Sequence, residues 1–252
     1  MTITSEEELE RLKVIGRICA IARDTMASAL EPGMTTKELD NIGRKVLEDH
    51  GARSAPEVTY QFPGATCISV NEEIAHGIPG NRVIKAGDLI NIDVSAEKDG
   101  IFADTGASYI VPPGSVRRLE KLCTDGKKAM WAGIRAVRAG GRIADVGDAI
   151  GKFAGTNGYT LIRSLASHGI GHKLHDEPGE IPTWPDRSER RRISDGLVFT
   201  VEPFLSMGGQ IAEEKSMDDP WTLVSVPSAS CVQYEHTIVA TRRGAVVVTL
   251  AA

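Results

Sequence analysis

Four acidic residues stand inside stretches whose other residues are typical of buried strands. They are Asp93 in LINIDVS, Asp104 in IFADTGASYI, Glu202 in VFTVEPF and Glu235 in VQYEHTIVAT. An ionised carboxylate is costly to bury unless a cation or several hydrogen-bond donors compensate its charge. Any one of these acids could be a satisfied structural residue or lie at a strand end. Four of them together indicate a shared site that uses negative charge.

Asp93 and Asp104 flank the segment AEKDG, where Asp99-Gly100 has the turn chemistry of a β-hairpin. A two-residue loop at Lys98-Asp99 predicts that the two acids lie directly opposite each other, and a bulge at Gly100 shifts that register by one residue. Either register predicts a separation of only ~5 Å between their Cβ atoms. Two like charges that close need a cation between them or a shared proton.

Three of the six histidines lie in one short segment, SHGIGHKLHDEP, as His168, His172 and His175. A lone histidine is more often structural, but His168 lies among glycines in a chain with four displaced acids and is a candidate ligand. His76, in IAHGIPG, has a similar context of small residues. The sequence has no HExxH, Gly-x-Ser-x-Gly, P-loop or dinucleotide-binding motif. The reaction class that remains is metal-assisted hydrolysis.

Four carboxylates and one imidazole suit two adjacent divalent cations, which Asp104 and Glu235 could bridge. Four negative charges against two ions of charge +2 leave such a site near neutral. Ligands this rich in oxygen do not select sharply for zinc, so cobalt, manganese and iron remain open. The four cysteines are scattered without a CxxC pair, which predicts neither a disulfide framework nor a thiolate zinc site.

The composition predicts a soluble globular protein that stays in the cytoplasm. Hydrophobic residues make up 41% of the 252 residues, which is ample for a core. The formal net charge of -5 argues against a nucleic-acid or anionic-membrane partner held by bulk electrostatics. The first residues lack the basic and apolar regions of a signal peptide, and no apolar run approaches the ~18 residues of a membrane span.

The order helix, helix, strands occurs twice, about 110 residues apart. Ser5 is a candidate N-cap of the first helix, and Thr35 with Glu38 forms a capping-box pattern for the second. Strands are predicted in ATCISV, DLINIDVS and IFADTGASYIV, and later in GLVFTVEPF, CVQYEHTIVAT and AVVVTL. We infer one α+β domain over residues 1–252. Two pseudo-symmetric halves, about 1–113 and 114–252, pool antiparallel strands with helices outside.

Five segments resemble the type I methionine aminopeptidases, metallopeptidases of the pita-bread fold. In order, they are CISVNEEIAHGIPG, NIDVSAEKDGIFADT, SHGIGHKLHDEP, FTVEPF and QYEHTIVAT. The resemblance implies that Asp93, Asp104, His168, Glu202 and Glu235 are ligands of two divalent metal ions. It implies removal of the initiator methionine from nascent chains with a small second residue, with transient ribosome contact by a monomeric enzyme.

Substrate-binding roles follow from the same resemblance. His76 and His175 would contact the scissile amide, and Glu202 would also carry a proton to the leaving amine. By position in the family pattern, the methionine pocket would be formed by Phe62, Cys67, Trp221 and Gln233. Phe62 and Cys67 could instead be ordinary core residues, and Trp221 could anchor a loop.

Two departures from the family pattern are small replacements. Ser167 stands where members often have glycine before His168, and Ala103 stands before Asp104. Neither removes a ligand. Two alternatives stay open: an Xaa-Pro peptidase, which generally carries a further N-terminal domain, and a non-catalytic pita-bread protein that binds partners through its cleft, although such relatives typically lose ligands.

Overall fold

Helices and antiparallel strands follow one another in two series along the chain in the computed structural model, which describes residues 1–114 and 116–251. The helices within those ranges are α1 (Glu6–Ala29), α2 (Thr36–Asp49), α3 (Ala55–Tyr60), α4 (Arg117–Ala136) and α5 (Ala144–Thr156). The first strands are β1 (Arg53–Ser54), β2 (Cys67–Val70), β3 (Glu73–Ala75), β4 (Leu89–Lys98) and β5 (Ile101–Ile110). Those that follow are β6 (Thr160–Leu161), β7 (Ser167–Gly169), β8 (Asp176–Ile181), β9 (Val198–Val201), β10 (Phe204–Ser206), β11 (Ile211–Ser216), β12 (Asp219–Val226), β13 (Cys231–Gln233), β14 (His236–Thr241) and β15 (Gly244–Val247).

The helix starts are confirmed by their caps. The Ser5 side chain accepts a hydrogen bond from the Glu8 backbone, and Thr35 and Glu38 form both bonds of a capping box. The short helix α3 was not predicted from the sequence. It begins at the N-cap Ser54 with Pro56 in its first turn, where proline's missing N–H has no helical partner to lose.

The hairpin of β4 and β5 has a different register from the predicted one. Its two-residue loop is Asp99-Gly100, with φ of 51° and 80°, as a type I′ turn requires. Asp104 therefore lies opposite Ser95, and Asp93 lies opposite Gly106. The prediction that the two acids face each other directly is wrong. A shift of two residues preserves the face, so both acids still point to the same side of the sheet.

Two predicted strands of the second half are each broken at an acid. Glu202 and Pro203 separate β9 from β10, since proline offers no N–H to a ladder. Glu235 lies between β13 and β14, and its backbone N–H turns to donate to the Gly106 carbonyl instead, at 2.9 Å. Both acids thus lie at strand junctions, where their side chains are free to leave the pleat of the sheet.

The two largest sheets meet where β5 passes β14. The Thr237 hydroxyl accepts from the Asp104 N–H at 2.9 Å and donates to the Asp104 carbonyl at 2.8 Å. The first sheet contains β1, β4, β2 and β5, and the second has the order β15-β14-β9-β7-β8. Helices α1 and α2 pack on the first sheet and α4 and α5 on the second, around two apolar clusters. The seam therefore holds two of the acids, Asp104 on β5 and Glu235 at the junction directly before β14.

Every strand pair between described residues is antiparallel, which confirms the predicted α+β class. The relation between the halves 1–113 and 114–252 stays a prediction. Among the described residues, no helix has the length and apolar character to cross a bilayer.

Candidate metal centre

The five residues predicted as ligands converge at the seam between the sheets. Asp93, Asp104, His168 and Glu202 line a cavity of about 320 Å³, and Glu235 lies directly behind them, 1% exposed. One donor atom from each of Asp104, His168 and Glu235 lies within 4.8 Å of the other two. These side chains come from β5, β7 and the junction before β14, so the site depends on correct assembly of both sheets.

His168 presents one ring nitrogen to the acids. Its Nδ1 lies 3.0 Å from the Gly169 carbonyl, which assigns the proton to Nδ1 and leaves the Nε2 lone pair free. Nε2 lies 3.4 Å from Glu202 Oε1 and 4.0 Å from Asp104 Oδ2. Burial, helped by nearby His175, lowers the pKa of His168 to about 3. The ring is therefore neutral at physiological pH, the form that binds metals.

The acids carry more negative charge than the surrounding protein compensates. Within the described part of the chain, three buried carboxylate oxygens accept no hydrogen bond: Asp93 Oδ1, Asp104 Oδ1 and Glu235 Oε1. Burial raises the pKa of Asp93 to about 6, although a hydrogen bond with Asp104 opposes the rise. Burial and the neighbouring acids raise the pKa of Asp104, Glu202 and Glu235 well above their ordinary values. Oxygens without donors, beside a neutral imidazole, are the donor set that divalent cations fit.

Gln233 does not line the cavity, contrary to the prediction. Its Nε2 donates to Glu235 Oε2 at 2.9 Å, and its Oε1 accepts from Asn91 at 2.9 Å. The side chain lies against Gly106, where a Cβ would fall 2.1 Å from Gln233 Oε1. Gln233 therefore orients Glu235 from behind, and the close approach depends on glycine at position 106.

The cavity has an aromatic wall. Phe62 and Trp221 meet edge to face, with ring centroids 5.4 Å apart, and both line the cavity together with Cys67. Phe62 comes from the loop after α3 and Trp221 from β12, so the wall joins distant parts of the chain. Cys67 is paired with Asp93 across β2 and β4, and burial raises the pKa of its thiol. Cys67 is thus a neutral sulfur beside the acids.

His76 and His175 lie at the mouth of the cavity, with ring surface open to water. His76 has a φ of 53°, which is uncommon for a non-glycine residue and turns its ring from the end of β3 toward the cavity. The surrounding protein lowers the pKa of both imidazoles. The His175 ring lies 4.2 Å from that of His168.

Tyr60 is the site residue that sequence reasoning missed. Its hydroxyl lies 2.5 Å from His175 Nδ1, and its ring also lines the cavity. The available signal was its position two residues before Phe62, in the segment VTYQF. The α3 helix that presents Tyr60 is too short to reveal itself by periodicity.

Comparison with known proteins supports this picture over the whole chain. The sequence model of metallopeptidase family M24 matches residues 10–242. The chain is 44% identical over 250 residues to methionine aminopeptidase 2 of Bacillus subtilis (strain 168), covering 99% of each. The crystal structure of methionine aminopeptidase from Rickettsia prowazekii superposes with a TM-score of 0.92 and 32% identity, covering 99% of this chain and 100% of that one.

A more distant likeness shows the fold alone. The prolidase from Pyrococcus furiosus superposes with a TM-score of 0.77 at 20% identity, covering 98% of this chain but 65% of the prolidase. The predicted pita-bread fold is thereby confirmed. With a family match across most of its length and full-length relatives above 40% identity, the chain belongs to metallopeptidase family M24, among its methionine aminopeptidases.

Proposed function

We propose that the protein removes the N-terminal methionine from polypeptides with a small second residue, using two divalent cations held by Asp93, Asp104, His168, Glu202 and Glu235. The observation that carries the proposal is the buried cluster of four carboxyls and one neutral imidazole at the floor of an aromatic-walled cavity. Divalent cations held there would polarise the scissile carbonyl and lower the pKa of a water molecule.

Glu202 moves the proton in this proposal. The Thr200 hydroxyl donates to Glu202 Oε1 at 2.8 Å, which fixes one oxygen and leaves proton transfer to the other. The carboxyl is within the cavity, close to where a peptide bond would lie. A base so placed can take a proton from the attacking water and pass it to the leaving amine.

His76 and His175 orient the scissile amide. Both rings face the cavity from its mouth, on the water side of the acids. The Tyr60 hydroxyl lies at His175 Nδ1, so Nε2 is the ring nitrogen left to donate to the substrate. Donors aimed at a developing negative charge typically contribute about 3 kcal/mol each to the rate.

Methionine selectivity rests on Phe62, Trp221 and Cys67. A thioether makes favourable contacts with aromatic edges and other soft groups, which this wall supplies. The cavity volume of about 320 Å³ is small for a ligand pocket and suits one side chain with its peptide bond. Tyr60, His76 and His175 crowd the mouth, so the second residue of the substrate has to be small.

The remaining assignments concern where the protein works. We propose that residues 1–252 act as one catalytic domain made of two related halves, in a monomer in the cytoplasm. Its partners are the N-termini of nascent chains, met during transient ribosome contact. The exposed arginines of the segment RSERRR, residues 187–192, offer positive charge for such a contact, although the chain as a whole is acidic.

The test compares tripeptides after metal removal and reloading. Protein treated with a chelator and then reloaded with Mn²⁺ is assayed with Met-Ala-Ser, Leu-Ala-Ser and Met-Leu-Ser, and with Ala-Pro for the Xaa-Pro alternative. We expect high kcat/KM for Met-Ala-Ser alone, and no hydrolysis before reloading. Comparable rates on Met-Ala-Ser and Leu-Ala-Ser would remove the methionine assignment. Preferential cleavage of Ala-Pro would establish the Xaa-Pro alternative. Full activity in the presence of the chelator would contradict the proposed metal dependence.

A further inference from the structure

Two buried hydroxyls form hydrogen bonds between β7, which carries His168, and β9, which ends directly before Glu202. The backbone ladder between β7 and β9 contains a single described residue pair, Gly169 with Phe199. On the ligand side of that pair, the Glu202 N–H donates to Ser167 Oγ at 2.9 Å. The His168 N–H donates to Thr200 Oγ1 at 3.1 Å. Each ligand is thus held by a hydroxyl from the opposite strand.

The Thr200 hydroxyl forms a second hydrogen bond, to the Glu202 side chain. Its one hydrogen goes to Glu202 Oε1 at 2.8 Å, while its lone pair accepts from the His168 backbone. The Thr200 hydroxyl therefore joins the backbone of His168 to the carboxylate of Glu202. The facing atoms of these two ligands, His168 Nε2 and Glu202 Oε1, lie 3.4 Å apart.

Burial makes these hydroxyls hard to replace. Ser167 and Thr200 are both 0% exposed, so bulk water cannot supply the missing acceptor if either hydroxyl is removed. An N–H left unpaired in such a place keeps the full cost of its desolvation. Ser167 is also the position where this sequence departs from the glycine that family members often have. Glycine has no side-chain acceptor to offer to Glu202.

We propose that Ser167 and Thr200 are positioning residues, which set the separation of His168 and Glu202 before cations bind. This inference rests on the ligand roles of His168 and Glu202 in the proposed function. Ligands held in place lose less freedom when a cation arrives, so removing either hydroxyl weakens cation binding. Groups that orient metal ligands typically change metal affinity by about tenfold or more when removed.

The experiment separates positioning from ordinary stabilisation. The variants are Ser167→Ala, Thr200→Val and the hydroxyl-retaining Thr200→Ser. Ser206→Ala is the matched control, because Ser206 is also 0% exposed and its Oγ also accepts a backbone N–H, from Gly209, at 2.9 Å. For each protein, calorimetric titration of the metal-free form gives the Mn²⁺ dissociation constant. Circular dichroism gives the thermal midpoint of the metal-free form, and Met-Ala-Ser hydrolysis gives kcat and KM.

We expect the Mn²⁺ dissociation constant to rise about tenfold in Ser167→Ala and Thr200→Val. Ser206→Ala should bind Mn²⁺ as wild type does, although its metal-free thermal midpoint falls by a similar amount. Thr200→Ser should restore most of the affinity lost in Thr200→Val, and it keeps the test open if Ser167→Ala fails to fold. Unchanged affinity in Ser167→Ala and Thr200→Val, or equal weakening in Ser206→Ala, would overturn the inference. Wild type that neither binds Mn²⁺ nor cleaves Met-Ala-Ser would instead overturn the proposed function.

Discussion

Replacing Asp93 by asparagine should change the stability of the protein in opposite directions with and without bound cations. Burial raises the pKa of this carboxyl from 3.8 to about 6 in the folded protein without metal. The folded state therefore holds its proton to higher pH than the unfolded chain does. Stability consequently falls as the pH rises from about 4, and the full loss is reached above about pH 6.

The size of the effect follows from that rise in pKa. Each unit of difference between the folded and unfolded pKa corresponds to about 1.4 kcal/mol in the free energy of unfolding. The metal-free protein therefore loses about 3 kcal/mol of stability at neutral pH through Asp93. Asparagine carries no charge, and its amide oxygen can accept the hydrogen bond that Asp93 accepts from the protonated Asp104 carboxyl. At about 2 °C per kcal/mol for a chain of this length, metal-free Asp93→Asn should unfold about 6 °C higher than metal-free wild type.

Bound cations should make wild type more stable than Asp93→Asn. At a concentration 1,000 times the dissociation constant, binding to the native state alone stabilises wild type by about 4.1 kcal/mol. This exceeds the ~3 kcal/mol that wild type loses through Asp93, so wild type becomes the more stable protein when the variant, which lacks a ligand oxygen, binds little cation. Thermal unfolding at pH 7.5, in chelator and in Mn²⁺, measures both cases. The control is Asp125→Asn, because Lys121 and Lys128 outweigh burial and lower the pKa of Asp125. This control should be destabilised in both buffers. If Asp93→Asn lowers the midpoint equally in both buffers, Asp93 is an ordinary structural acid.

Four further variants test the residues around the cavity. Asp104→Asn should lose at least ~100-fold in kcat/KM for Met-Ala-Ser even in saturating Mn²⁺, because a neutral amide cannot balance cation charge; near wild-type hydrolysis would contradict its ligand role. His175→Ala should lower kcat by about 100-fold with little change in the Mn²⁺ dissociation constant. Tyr60→Phe, which removes one hydrogen bond to His175, should lower kcat by about 5-fold. Calorimetric weakening of Mn²⁺ binding that accounts for all of the His175→Ala loss would make His175 a ligand. Phe62→Ala should reduce the kcat/KM ratio of Met-Ala-Ser to Leu-Ala-Ser, by about 10-fold for the lost apolar contact; an unchanged ratio would remove Phe62 from the pocket.

The sequence revealed most of the candidate site because charge in apolar strands is visible without coordinates. The apolar neighbours of Asp93 and Glu235 made both acids conspicuous, and the glycines around His168 did the same for the imidazole. What the sequence could not reveal was the exact backbone path. The hairpin loop was predicted one residue too early, since both Lys98-Asp99 and Asp99-Gly100 fit a short turn and only the latter places both residues at positive φ.

The hydrogen bonds that hold the site residues in place could not be predicted from the sequence either, because most of them join residues far apart in the chain. Gln233 was predicted to contact the substrate from its place in the family pattern, but its amide bonds to Glu235 and its ladder position buries it. Tyr60 went unnoticed because its role depends on a contact with His175, 115 residues away. Ser167 looked like a neutral replacement for glycine until its bond to the Glu202 backbone was seen.

The register of the β4–β5 hairpin has a consequence for how this chain can vary in length. Successive residues of a strand point to opposite faces, so one residue inserted or deleted inside β4 or β5 between Asp93 and Asp104 would send one acid to the other face of the sheet. The two strand segments that join the acids to the Asp99-Gly100 turn therefore have a fixed number of residues. The β11–β12 hairpin has no such constraint at its tip, where Met217 is 98% exposed. Tags, linkers or natural insertions should therefore be accepted at residue 217 and rejected within residues 94–98 and 101–103.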